Sequence, residues 1–467
     1  MLEKLRLYHT NDLHSHFENW PKIVHYIEQK RSEHEKDGEE TLVFDIGDHM
    51  DRFQMITEAT FGKANVDLLN RLEIDAAAVG NNEGITLPHD ELADLYTHAA
   101  FPVIVSNLFD ADGQRPEWAE PYVIKTLKNG MTAGILGVTV PYYPVYQKLG
   151  WTVTDAEKSI QESLDDIKGK ADIIILLSHL GLVDDRAAAE KFPDIDVILE
   201  SHTHHLLEDG QDINGVLLAC AEKYGNYVGC VELTIESESR TIVSKQASVQ
   251  KMADWHGESE DTAAFLKEKE REAEILLSEQ VANLNEEAGV KWFEESPLPL
   301  LLAEALKSWC GCEVSMVNSG VILGPLQKGP VTKLDLHRIC PHPINPVAVR
   351  LSGRELQETI SQAASEQMEQ LRIKGLGFRG EVMGRMVYAG AEAEAGILED
   401  GVTHLLNVKV NGEEIDPERI YSVAVLDMFT LGKLFPYIRD SKEKQYFMPE
   451  FLRDLLAWKL SGSRNVV

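Results

Sequence analysis

Apolar runs recur along the first half of the chain at Leu5 to Tyr8, Leu42 to Ile46, Ala76 to Val79, Val103 to Val105, Ala133 to Val138, Ile173 to Leu177, Val197 to Leu199 and Val216 to Cys220. Each has the length and bounding of a buried strand. Between most of them lie longer segments with apolar residues at helical spacing: Lys22 to Lys36, Ile56 to Leu72, Ala156 to Lys168 and Asp184 to Lys191. The alternation predicts an α/β domain whose sheets are covered by helices. In such domains ligands gather beyond the carboxyl ends of strands.

Past this region the pattern changes. Residues 257–288 are charged and helix-favouring, which predicts an exposed or half-exposed bridging helix around Thr262 to Gln280. A second domain then opens near Ser296. It has a helix start rich in Pro and Leu, strands near Val314 to Val317 and Val347 to Leu351, and a helix near Glu355 to Gln370. Strands follow near Leu405 to Val410 and Tyr421 to Val425, and Asn411-Gly412 marks a tight hairpin. The expected division is residues 1–255, a helical linker over 256–290, and a second domain over 291–467.

Composition narrows the function classes. The chain has 467 residues, 43% apolar and 26% charged, the balance of a globular protein. Its net charge of -32 argues against gripping a nucleic-acid polymer, which requires basic patches. A small anionic substrate stays possible if bound cations reverse the local field. No run of about 18 apolar residues occurs, so no membrane span is expected. Five sparse cysteines, an odd number, and a start without a signal-length apolar segment point to the cytoplasm.

The chemistry sits where strands run out. Asp12-Leu-His14, Gly47-Asp48, Gly80-Asn81, Ser178-His179 and His202-Thr-His204 each follow an apolar run. Asp12 and His14, two apart, would share one side of an extended segment. Gly47 and Gly80 let the backbone turn sharply under a ligand. The side chains supply imidazoles, two carboxylates and a carboxamide, a mixed shell for two divalent cations sharing one carboxylate. Such donors suit Mn, Zn, Fe or Co rather than Mg or Ca. A metal-dependent hydrolase follows.

The segments YHTNDLHSHF, IGDHMDR, VGNNEG, LLSHLG and ESHTHH, in this order, resemble the calcineurin-like metallophosphoesterases, and within them the 5′-nucleotidase branch. The resemblance implies a four-layer α-β-β-α sandwich followed by an α+β C-terminal substrate domain. It implies Asp12, His14, Asp48 and His204 as ligands of a first metal, and Asp48, Asn81, His179 and His202 as those of a second. It also implies attack on phosphorus by a hydroxide bridging both metals, on a nucleotide or a related small phosphorylated compound.

The chain departs from the family pattern in places. The family's Gly-Asn-His-Glu reads Gly80-Asn81-Asn82-Glu83, so Asn82 stands where the family has a histidine that stabilises the transition state or protonates the leaving group. A carboxamide can donate a hydrogen bond but gives up no proton at neutral pH. His49 and His16 are candidate substitutes, and Arg52 is a candidate phosphate clamp. The second domain resembles its family counterpart more weakly. Ile322-Leu323 replaces the family's Ile-Arg, and Pro341-His-Pro-Ile-Asn345 replaces Pro-Phe-x-Asn. Asn345, Phe378, Arg379 and Phe429 remain as candidate substrate contacts. Two alternatives stay open: a diphosphatase or cyclic phosphodiesterase that needs no acid, and a metal- and ligand-binding protein with weakened turnover.

Overall fold

The computed structural model describes residues 2–397 and 403–462. The chain divides into two compact units, Met1–Ala273 and Glu274–Val467. The division falls inside the charged helix Glu260–Leu276.

Two sheets form the centre of the first unit. One has seven strands, ordered Thr241–Lys251, Tyr227–Glu236, Leu2–Thr10, Glu40–Asp45, Ala76–Ala78, Val103–Ile104 and Ala119–Glu120. The other has six, ordered Gln211–Ile213, Val216–Ala219, Val197–Glu200, Ile173–His179, Thr132–Thr139 and Tyr122–Thr126. Leu5, Leu7, Leu42 and Phe44 of the first sheet share one buried cluster with Ile135, Ile173, Ile175, Leu177 and Leu199 of the second. The other face of the second sheet, with Leu136, Leu176 and Ile198, packs on helices Ala156–Ile167 and Leu182–Lys191 through Ile160, Leu164 and Ala188. Strands buried on both faces read as continuous apolar runs, which is why the sequence shows them so clearly. Together with its helices this unit is an α-β-β-α sandwich.

Strand direction places the site. Leu2–Thr10 runs parallel to Glu40–Asp45, and Ile173–His179 runs parallel to Val197–Glu200. Their carboxyl ends therefore release the polar clusters on one side of the unit. The helical pattern from Ile56 to Leu72 is split into Met55–Thr60 and Lys63–Leu72. Phe61 and Gly62 take left-handed φ of 49° and 82°, and a Cβ on Gly62 would lie 2.7 Å from the Met50 sulfur. Periodicity survives such a break because both pieces bury the same face.

The second unit is built on a five-stranded sheet, Met386–Ala389, Val314–Asn318, Ile420–Leu426, Pro346–Ser352 and Lys444–Tyr446. Helices Pro297–Cys310 and Leu452–Ser461 contribute to the same core. The expected helix from Glu355 to Gln370 is Gly353–Ala363 followed by Glu366–Glu369. Ser365 interrupts it because its hydroxyl accepts from the Met368 amide and starts a new helix. Asn411 and Gly412, with φ of 52° and 84°, turn Thr403–Val410 into Glu413–Glu414 as the hairpin signal required. Among the described residues no helix is long and apolar enough to cross a membrane.

Candidate metal centre

The five polar clusters of the first unit converge. Asp12, His14 and His204 place ligand atoms within 4.8 Å of one another, and so do Asp48, His179 and His202. Asp48 faces both triads: its Oδ2 lies 3.7 Å from Nε2 of His14 and its Oδ1 lies 3.4 Å from Nε2 of His179. In the first triad, His204 Nε2 sits 3.2 Å from His14 Nε2 and 3.5 Å from Asp12 Oδ1. Two basic nitrogens and a carboxylate turned toward one point suit a cation better than they suit one another.

The backbone achieves this by leaving extended geometry. Among the described residues, eight of the fourteen non-glycine residues with positive φ are Asp12, His14, Ser15, Asp48, His202, His204, Glu222 and Tyr224. Such conformations persist only where surrounding structure over-determines them, and they gather at functional sites. The sequence reading of Asp12 and His14 as two positions on one side of an extended segment is therefore corrected: both residues are left-handed, at φ 50° and 47°. Amides of that loop are tied to the Asp48 loop, His14 N to the Asp48 carbonyl at 2.8 Å and Asp12 N to the Gly47 carbonyl at 3.1 Å.

Each ligand candidate is held from behind. The Asp12 carboxylate accepts from Ser201 Oγ at 2.8 Å, from Asn11 Nδ2 at 2.9 Å and from the His202 amide at 3.1 Å. His179 donates from Nδ1 to the Ile46 carbonyl at 2.8 Å, which leaves Nε2 facing Asp48. Nδ1 of His14 lies 3.3 Å from the Asp51 carboxylate. Glu83 accepts from the amides of Asp48, Met50 and Gly80 at 3.0, 3.1 and 2.9 Å, joining the loops that carry Asp48 and Asn81. Orienting partners of this kind fix tautomer and ring direction at metal sites.

The buried side-chain atoms without a hydrogen-bond partner among the described residues include Asn81 Oδ1 and His179 Nε2. Both belong to the expected second ligand set. An unpaired buried acceptor is destabilising unless something else occupies it, so these two atoms fit a bound cation. The donor set of imidazole, carboxylate and carboxamide fits a transition metal.

Electrostatics agrees. Burial opposes charge on His179, yet the Asp48 carboxylate drives its imidazole up to about 10. Asp48 is held below the usual carboxylate range despite its burial, through the His179 charge. Burial pushes His202 down to about 4 and His204 to about 3, with the neighbouring positive charges adding to it. Burial, reinforced by the Asp48 charge, pushes Glu83 up to about 7. The cluster thus divides into groups that hold protons and groups that are bare bases, a division that cations would replace.

Other expected residues are placed differently. The Arg52 guanidinium donates to both Glu58 carboxylate oxygens, at 2.8 and 3.1 Å, and to the Thr86 carbonyl at 2.8 Å, and so ties the scaffold. His49 is buried edge-on to Trp20, and burial lowers it to about 3, so it has no proton to give at neutral pH. Asn82 lies behind His14, its Nδ2 2.7 Å from His14 Nδ1. His16 lies against Tyr224, with ring centres 3.9 Å apart and planes tilted by 39°. In the second unit Phe429 is fully buried against Phe435, which makes it a core residue with no surface for a substrate. Phe378 is 3% exposed and stacks on His342, and the Arg379 amide donates to His342 Nδ1. Asn345 Nδ2 donates to the carbonyls of Pro449 and Glu450.

Sequence reasoning missed Asp51, Ser201, Tyr142 and Lys223. Tyr142 places its hydroxyl 3.2 Å from His202 Nε2, and Lys223 places its ammonium 3.3 Å from His204 Nδ1. Asp51 and Ser201 adjoin recognised motifs and were within reach of a motif-based reading. Tyr142 and Lys223 come from separate loops that carry no local signal.

Residues 5–206 match the calcineurin-like phosphoesterase family model, and residues 279–435 match the 5′-nucleotidase C-terminal domain. The chain is 76% identical to the uncharacterized metallophosphoesterase YunD of Bacillus subtilis, over 99% of this chain and 100% of that protein. The NAD nucleotidase of Haemophilus influenzae has a similar fold, with a TM-score of 0.68 at 17% identity, covering 99% of this chain and 96% of that one. A 5′-nucleotidase precursor from Thermus thermophilus aligns with a TM-score of 0.61 at 20% identity, over 98% and 96% of the two chains.

Proposed function

Because the chain belongs to the calcineurin-like metallophosphoesterases and carries a 5′-nucleotidase C-terminal domain, we propose that its substrate is a nucleotide or a related small phosphorylated compound. The observation that carries this reading is the position of Asp48 between two ligand triads, facing His179 Nε2 at 3.4 Å, with Asn81 Oδ1 left without a hydrogen-bond partner among the described residues. Asp12, His14, Asp48 and His204 would hold one transition metal. Asp48, Asn81, His179 and His202 would hold the other. When bound, two such cations acidify a water and neutralise charge on phosphoryl oxygens.

The chain's own groups do the rest. Ser201 and the His202 amide hold Asp12 in place, Glu83 keeps the Asp48 and Asn81 loops in register, and Asp51 orients His14. Tyr142 is 37% exposed, and its phenol is a hydrogen-bond donor beside the second triad. The nucleotide class is supported by the C-terminal domain family and by the name of the Haemophilus relative. Five free cysteines fit a cytoplasmic setting.

A second reading is favoured by one observation, the carboxamide of Asn82 where a proton donor would serve. Phosphoanhydrides, such as nucleoside diphosphates or nucleotide sugars, release a good leaving group and need no acid. Phosphate release by manganese-loaded protein from nucleoside mono-, di- and cyclic phosphates and nucleotide sugars tests both readings, with Asp48→Asn as control. Activity lost in the control is expected. Turnover unaffected by Asp48→Asn would refute the site, and silence across the panel with two metals bound would refute the substrate class.

A further inference from the structure

We propose that Lys223 is the cation that receives the phosphoryl oxygens of the substrate, an assignment that rests on the phosphoesterase reading above. Lys223 sits in the loop after strand Val216–Ala219, between two residues with left-handed backbone, Glu222 at φ 62° and Tyr224 at φ 61°. Neither is a glycine, so the conformation is held by outside ties. The Glu222 carbonyl accepts from Asn11 Nδ2. The Glu222 amide donates to the His205 carbonyl at 2.9 Å, and the Tyr224 amide donates to the Asp12 carbonyl at 2.8 Å. The loop is thereby pinned to the two segments that carry Asp12 and His204, with the lysine at its centre.

The side chain lies over the Tyr224 ring, with its ammonium 4.6 Å from the ring centre, and reaches 3.3 Å from His204 Nδ1. In a chain with 77 acidic residues and 45 basic ones, this half-buried ammonium has no carboxylate within 4 Å among the described residues. A positive charge beside candidate metal ligands opposes cation binding unless an anion joins them. Two divalent cations against the two carboxylates of Asp12 and Asp48 leave the site positive, and Lys223 makes it more so. A phosphoryl dianion is the group such a site attracts.

The ring of His204 explains how the lysine is released. Its Nε2 faces Asp12 and His14, so Nε2 is the ligand atom and Nδ1 is the far one. A ligating imidazole carries its proton on the far nitrogen. Nδ1 then no longer accepts from the ammonium, and Lys223 turns to the anion in the mouth of the site. With the Arg52 guanidinium committed to Glu58, Lys223 takes the role that the sequence pattern suggested for Arg52.

The test is calorimetric titration of inorganic phosphate into the manganese-loaded full chain, for wild type, Lys223→Met and Lys223→Arg, with manganese stoichiometry measured on each. Lys223→Met is expected to keep two metals and to bind phosphate about ten- to hundredfold more weakly, the range for a lost charged hydrogen bond. Lys223→Arg is expected to restore most of that affinity. KM should rise more for the dianion p-nitrophenyl phosphate than for the monoanion bis(p-nitrophenyl) phosphate. Equal phosphate affinity in Lys223→Met would overturn the assignment, as would loss of a manganese equivalent, which would make the lysine a support for His204. Wild type that holds two metals but binds no phosphate would instead overturn the phosphoesterase reading, and the assignment with it.

Discussion

The Asn82 carboxamide nitrogen lies 2.7 Å from Nδ1 of His14 and 3.0 Å from the Met50 carbonyl oxygen. The Asp51 carboxylate lies 3.3 Å from the same Nδ1, and one ring nitrogen cannot both accept from Asn82 and donate to Asp51; with Nε2 as the ligand atom Nδ1 carries the proton, so Asp51 is the partner that orients the ring. Asp51→Ala is therefore expected to weaken the first metal site about 10- to 100-fold. Manganese titration should show one of two equivalents binding more loosely. Two equivalents of unchanged affinity would mean that His14 is oriented by its backbone alone.

Neither Asn82 nor the buried, neutral His49 can protonate a leaving group at neutral pH. Turnover should therefore depend steeply on leaving-group pKa. Aryl esters and anhydrides are expected to outpace alkyl monoesters by about two to four orders of magnitude, the contribution of a missing general acid. A flat series of rates across leaving groups would reveal a proton donor elsewhere.

Gly47 has φ of 85°, and a Cβ there would lie 2.4 Å from the Gly80 amide nitrogen. Both partners are backbone, so neither can swing aside. Gly47→Ala is expected to destabilise the protein by about 1–3 kcal/mol and to separate the Asp48 and Asn81 loops. Denaturant midpoints and metal stoichiometry together check this. A variant with normal stability and two tight metals would contradict the close approach.

His342 is fully buried in the second unit, its Nε2 donating to the Val321 carbonyl at 2.9 Å and its Nδ1 accepting from the Arg379 amide at 2.9 Å. Burial lowers its pKa from 6.5 to about 3. A depressed imidazole favours the folded state fully above pH 6.5, and that stability is lost as pH falls, because the unfolded chain binds the proton first. The loss between pH 8 and pH 5 is about 2 kcal/mol. Burial raises Asp427 of the same unit to about 7, which gives the opposite sign, with stability lost as pH rises. The difference between wild type and His342→Gln removes that background. Parallel stability curves for the two proteins across this range would show that His342 is not held neutral.

Much of the first unit was legible because its strands are buried on both faces and appear as unbroken apolar runs, and because its ligand candidates sit where those runs stop. The single helix expected over Ile56 to Leu72 failed at Phe61-Gly62, where a left-handed turn keeps the periodic face intact. Arg52 pairs with Glu58, six residues on, a local partner that its phosphate reading left out. Phe429 is fully buried in the short helix Asp427–Thr430, and nothing local reveals that this helix turns into the core.

Local patterning determined the α/β order, the second domain, the hairpin at Asn411-Gly412 and the identities of the seven ligand candidates, since these depend on residue type and on neighbours a few positions away. The resemblance already implied two ligand sets sharing Asp48, whereas tertiary structure alone decided that Ser201 meets Asp12, that Asp51 and Asn82 meet His14, and that Lys223 reaches His204 Nδ1. Those relations join loops up to about two hundred residues apart in the chain. They are fixed by the packing of two sheets and by left-handed backbone at their ends, and neither leaves a periodic trace in the sequence.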